Sequence, residues 1–87
     1  MYKVEFSPRA LKSIKRLPRN VARSILADLE AIAADPNRKH AGVKPLRREL
    51  KGKYRLHWAG FRAIFEVQRN NTTLFVIDIL PRGKAYD

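Results

Sequence analysis

Tyr54-Arg55-Leu56-His57-Trp58-Ala59-Gly60-Phe61-Arg62-Ala63-Ile64-Phe65-Glu66-Val67 carries the clearest structural pattern in the chain. Two alternating segments flank a short Ala-Gly turn, the pattern of a β-hairpin. Side chains alternate faces along a strand. Tyr54, Leu56 and Trp58 therefore share one face, as do Phe61, Ala63, Phe65 and Val67, while Arg55, His57, Arg62 and Glu66 fall on the other side. A two-residue loop at Ala59-Gly60 pairs Trp58 with Phe61 and sets His57 opposite Arg62. A proton-transfer group and a permanent cation then meet on a surface that the hydrophobic core does not need.

A third strand is expected over residues 73–80, and its register depends on the turn before it. A two-residue turn at Asn70-Asn71 would put Leu74, Val76 and Asp78 on the face of Ala63 and Phe65. That buries Asp78, which is costly without a partner. A three-residue loop, Asn70 to Thr72, shifts the pairing by one. Phe75, Ile77 and Ile79 then join the core face and Asp78 turns outward. A one-residue slip exchanges the two faces completely, so burial selects the second register. Asp78 and Leu80 then lie near Arg62 and Ile64, and Arg82 continues on that side if alternation survives Pro81.

Upstream, Tyr2 to Phe6 alternates as a strand, and Ser7-Pro8 supplies a helix N-cap and a first-turn proline. Leu11, Ile14 and Leu17 recur at helical spacing, with Lys12, Lys15, Arg16 and Arg19 on the polar side. Pro18 ends this helix. A second helix is expected over residues 20–34, with Val21, Ile25, Leu29 and Ile32 as its apolar stripe. The tight joint makes an antiparallel αα-hairpin. Residues 37–50 read as a long basic connection, pinned to the core by Leu46 and Leu50. The expected fold is α+β: an N-terminal strand, an αα-hairpin and a three-stranded antiparallel meander, with both helices on one face of the sheet.

The chain has 87 residues and a net charge of +11, enough for one domain over 1–87 that attracts polyanions. The charge is concentrated. Arg38, Lys39, Lys44, Arg47, Arg48, Lys51, Lys53, Arg55 and Arg62 are accompanied by a single acid, Glu49. Nucleic acid or an acidic protein fits this asymmetry, and Lys44, Arg47, Arg48, Lys51, Lys53 and Lys84 are the candidate RNA-binding cations. The absence of cysteine excludes disulfides and thiolate metal sites and agrees with a cytoplasmic setting. No long apolar run suggests a signal peptide or a membrane span. Neither a phosphate-binding glycine loop nor a histidine pair at metal spacing occurs, so no metal or small-molecule cofactor is expected.

Arg55, His57, Arg62, Arg82, Lys84 and Tyr86 can converge on the outer face. Metal-free cleavage of a ribose–phosphate chain needs a base for the 2′-hydroxyl, cations for the phosphorane-like transition state and help for the departing 5′-oxygen. An imidazole such as His57 suits the base near neutral pH. Arg62 and Arg82 offer planar forks of donors to a phosphate. Tyr86 can stack on a base or donate a hydrogen bond. Taken one at a time, these residues read better as an ordinary strand histidine, ion-paired arginines and a C-terminal anchor; together on one face they favour function.

From the opening strand and Ser7-Pro8-Arg9-Ala10-Leu11-Lys12, the chain resembles the RelE/ParE toxin superfamily, and within it the RelE-type mRNA interferases. The likeness continues through Leu17-Pro18, Pro45-Leu46, Leu50-Lys51-Gly52, Tyr54-Arg55-Leu56 and Gly60-Phe61-Arg62-Ala63-Ile64-Phe65. It ends at Arg82-Gly83-Lys84-Ala85-Tyr86. The resemblance implies the toxin of a type II toxin–antitoxin pair. Such a toxin cuts mRNA in the ribosomal A site by 2′-hydroxyl attack and is held in check by a RelB-like, expectedly acidic antitoxin. By position, Arg62 matches the family's hairpin arginine, Arg82 its late-strand arginine and Tyr86 its C-terminal tyrosine. Arg55 and His57 stand where RelE-type enzymes often carry two lysines: Arg55 keeps the cation but is a poor proton acceptor, and His57 is the better replacement for a lysine base, so the departure leaves the base assignment open. Two other readings remain: a ParE-like gyrase poison without nuclease chemistry, and an inactive relative that binds only RNA or its antitoxin.

Overall fold

The computed structural model describes residues 1–45, 52–58 and 60–81. Strand β1 (Lys3–Phe6) leads into helices α1 (Pro8–Arg16) and α2 (Arg19–Ala34). Strands β2 (Val43–Pro45), β3 (Lys53–Trp58), β4 (Phe61–Gln68) and β5 (Thr73–Pro81) follow. The five strands form one sheet in the order β1-β5-β4-β3-β2. β1 runs parallel to β5, and the other pairings are antiparallel.

The β3–β4 hairpin adopts the expected register, with Trp58 opposite Phe61 and His57 opposite Arg62. Gly60 takes φ 90°, the left-handed conformation the tight turn requires and glycine tolerates. One face of the sheet carries Leu56, Ala63, Phe65, Leu74, Val76 and Ile79 into the core. α2 lays Ile25, Leu29, Ile32 and Ala33 over it, at the helical spacing legible in the sequence. In α1 the stripe is Ala10, Ile14 and Leu17, and Leu11, expected to be apolar-facing, is 44% exposed. Ala10 displaces it because a small residue allows α1 to sit close against β5.

Three expectations are corrected. First, the connection after α2 is not wholly irregular, because Val43–Pro45 adds a fifth strand beside β3. Gly42 makes this possible. It takes φ +79°, its carbonyl accepts the His57 N–H at 2.8 Å, and a Cβ there would stand 3.0 Å from the His57 carbonyl oxygen. Leu46 and Leu50, expected to pin the connection, lie outside the described residues.

Second, β5 uses both of the competing registers. Gln68 pairs with Thr73 and Phe65 with Val76, the two-residue-turn register, which buries Leu74 and Val76 rather than Phe75 and Ile77. A bulge then intervenes, and Ile64 pairs with Asp78, Ala63 with Ile79 and Arg62 with Leu80. One extra residue on one strand reverses every face beyond it. The core therefore takes Leu74, Val76 and Ile79, and Asp78 still escapes it.

Third, Asp78 reaches the expected face but is only 2% exposed. α1 packs beside β5, so the carboxylate meets protein instead of water. Its Oδ1 accepts from the Ile79 N–H at 2.8 Å and from Ser13 Oγ at 3.5 Å, and Arg9 Nη1 stands 3.7 Å from Oδ2.

Ser7 ties the bulge to the helix layer. Its Oγ accepts the Ala10 N–H at 3.0 Å as the α1 N-cap and donates to the Ile77 carbonyl at 2.5 Å, while its N–H donates to the Val76 carbonyl at 2.9 Å. Ser7→Ala removes both hydroxyl bonds. The expected loss is about 2 kcal/mol, a cap plus one part-buried hydrogen bond. Urea unfolding checks it: a midpoint unchanged from the parent would show that Ser7 holds neither α1 nor the bulge.

Candidate functional site

Strand pairing assembles the site on the sheet face opposite the α2-covered core. Two cross-strand rows define it. One runs His57, Arg62, Leu80, and the next runs Lys44, Arg55, Ile64, Asp78. Directly opposed residues on one face are close neighbours. The sequence separations of Lys44, Arg55, His57 and Arg62 thus collapse into one patch. Lys44 and His57 are exposed, Arg55 and Arg62 are half-buried, and Arg62 Nε is buried. A half-buried guanidinium is held in place before any ligand arrives, and reduced solvent strengthens its pull on an anion.

Ile64 is fully buried on this same face. That face is therefore not a uniform polar surface: the cations stand around an apolar side chain that is itself shut away from water. Sequence alternation contains that signal, since Ile64 interrupts the polar series Arg62, Glu66. Lys53, expected to bind RNA, lies one row further along opposite Glu66, with Nζ 3.7 Å from Oε2. That neighbour offsets part of its charge. The meeting of Arg9 and Ser13 with Asp78 leaves no trace in the sequence, because no local pattern links residues 65 positions apart.

Arg47, Arg48, Lys51, Arg82, Lys84 and Tyr86, the remaining candidates, lie outside the described residues. Among the described residues no group of three or more His, Cys, Asp or Glu is placed to hold a metal ion. Among them, too, no helix is long and apolar enough to cross a membrane.

On the other face, where α2 ends, the sheet is left partly uncovered. A cleft of about 350 Å³ opens there, with Tyr54, Phe65 and Val67 as its floor and Arg38, Lys39 and Arg69 among its lining. His40 also borders it. Its Nε2 lies 2.7 Å from the Asp35 carbonyl. A carbonyl only accepts, so Nε2 carries the proton in this contact.

Two helices on a five-stranded mixed sheet, with the arginine-bearing hairpin at its centre, make the architecture of the RelE-type toxins. The isolated Escherichia coli RelE toxin superposes with a TM-score of 0.81 at 24% identity, covering 99% of this chain and 89% of that one. The RelE chain of the intact E. coli RelBE toxin–antitoxin complex gives 0.80 at 23% identity, covering 97% and 100%. In sequence the chain is 29% identical over 86 residues to Toxin RelG of Mycobacterium tuberculosis, spanning 98% of this chain and 95% of that protein. The family model for the ParE toxin of the type II toxin–antitoxin system parDE matches residues 4–86, and the chain belongs to that family. It is a type II toxin of the RelE/ParE kind.

Proposed function

We propose that the protein is a ribosome-dependent endoribonuclease that inhibits translation by cutting mRNA in the A site, without a metal ion. The observation that carries this reading is the direct pairing of His57 with Arg62 on the sheet face opposite α2, beside Arg55 and Lys44. In the reaction the 2′-oxygen attacks the adjacent phosphorus. The P–O5′ bond breaks as the 2′-O–P bond forms, leaving a 2′,3′-cyclic phosphate and a 5′-oxygen that takes a proton from water to become the 5′-hydroxyl. His57 takes the 2′-hydroxyl proton. Arg62 and Arg55 stabilise the negative charge that grows on the non-bridging oxygens. Arg82 and Tyr86, assigned by resemblance, complete the phosphate clamp and the stack on a neighbouring base. Lys44, Arg47, Arg48, Lys51, Lys53 and Lys84 steer the ribosomal and messenger RNA, so binding weakens steeply with salt as phosphate contacts release counterions.

Its regulator is a cognate antitoxin, as the toxin–antitoxin complexes among its structural neighbours suggest. An acidic, partly apolar segment complements both the cationic face and the Arg38–Lys39–Arg69 border of the cleft. Induced expression is expected to arrest translation within minutes, with discrete in-frame mRNA breaks mapped by primer extension. The family model takes its name from ParE, which favours a second reading as a gyrase poison. Induction of the DNA-damage response with intact mRNA would establish that reading and sink the nuclease.

A further inference from the structure

A second cationic surface lies away from the hairpin face. From Ser7 to Ala27 the chain carries Arg9, Lys12, Lys15, Arg16, Arg19 and Arg23 and not one acid. Arg9 serves Asp78. The other five are all exposed. Among the described residues no carboxylate stands within ion-pairing distance of them. Lys12, Lys15 and Arg16 project from the side of α1 opposite Ala10 and Ile14, because positions three and four apart share a helix face. Arg16 and Arg19 flank the Leu17-Pro18 joint, so the end of α1 and the start of α2 present their charges together.

Folding does not ask for this arrangement. Cations at the end of α1 suit its dipole, but Arg19 opens α2, where the dipole favours anions. α2 has no acid in its first turn and no side-chain cap bond from Pro18. Self-repulsion and an unfavourable dipole are therefore both left standing, and an external polyanion relieves both. The patch also lacks what a protein partner would bury. Leu11 is the one large apolar side chain exposed on the hairpin, whereas protein interfaces are built around an apolar centre. A phosphodiester backbone needs only the charges.

We propose that the α1–α2 hairpin is a second RNA-binding surface, in which Lys12, Lys15, Arg16, Arg19 and Arg23 grip the phosphates of a folded RNA while the hairpin face holds the strand to be cut. This rests on RNA being the target, but it is tested by binding alone. The probe is a fluorescent RNA hairpin of about 20 base pairs, titrated between about 50 and 200 mM KCl. The proteins are Arg62→Ala, which leaves the probe intact, and the same chain with K12Q/K15Q/R16Q/R19Q/R23Q added. The five substitutions are expected to reduce the slope of log K against log salt by about 4.5, at roughly 0.9 for each phosphate that is no longer neutralised. Affinity at about 100 mM salt should fall at least about 100-fold. If the fivefold variant does not fold by circular dichroism, K12Q/K15Q and R19Q/R23Q should each lower the slope by about 1.8. A slope unchanged within about one unit overturns the proposal. So does failure of antitoxin capture with the RNA slope intact, which would make the patch a protein interface. A reduced slope together with an absence of mRNA breaks in cells would keep this surface and discard the nuclease.

Discussion

Arg62→Ala is expected to abolish growth arrest and to lower mRNA cleavage by about 10²–10³-fold, the usual loss when one charge-stabilising donor leaves a phosphoryl or acyl transition state. Arg62 stands at the centre of the proposed site, opposite His57 and Leu80, and its half-buried side chain is positioned by the sheet. Arg62→Lys keeps the charge but not the planar fork. It should recover only part of the activity, because an ammonium cannot grip two phosphate oxygens at once in the same plane. Primer extension on mRNA from cells expressing each variant measures the effect, and antitoxin co-purification confirms that the variants fold. Full cleavage by Arg62→Ala would remove the hairpin arginine from the chemistry and with it the assignment of the site.

Phe65→Ala is expected to have the largest effect on stability, about 3–5 kcal/mol. Phe65 is 1% exposed in the middle of β4 and stacks on Tyr54 with ring centroids 5.7 Å apart and planes inclined by 20°. Truncation removes the largest fully buried side chain among the described residues and opens a cavity that neighbouring strands cannot close without breaking register. A domain of this length has a total stability on the order of 5–10 kcal/mol, so the variant should melt tens of degrees lower or lose its cooperative transition. Leu11→Ala, on the exposed side of α1, should change stability by less than about 0.5 kcal/mol and serves as the control. A Phe65→Ala melting curve that overlays the parent would contradict the packing described for the sheet.

Elements with local signatures are legible in the chain. Ser7-Pro8 marks the start of α1, Pro18 separates the helices, and the alternation of residues 54–67 gives both the hairpin and the facing of His57 and Arg62. β2 is not legible, since the three residues from Val43 to Pro45 show no period and become a strand only because β3 offers them an edge. The burial of Ile64 and Asp78 is likewise imposed from outside their own strands.

Wherever one strand runs unbroken, the order of residues alone says which of them share a face, because the two-residue period is a property of the backbone. The excess of positive charge and the residue types available for phosphate chemistry are equally plain from the chain. Where β5 changes face is settled by packing between layers. Both of its registers bury good apolar residues, and local pattern cannot choose between them. The bulge combines them because Ser7 holds the Ile77 carbonyl and α1 supplies Asp78 with partners. Those bonds join residues about 70 positions apart, and they exist only once the helix lies against the sheet.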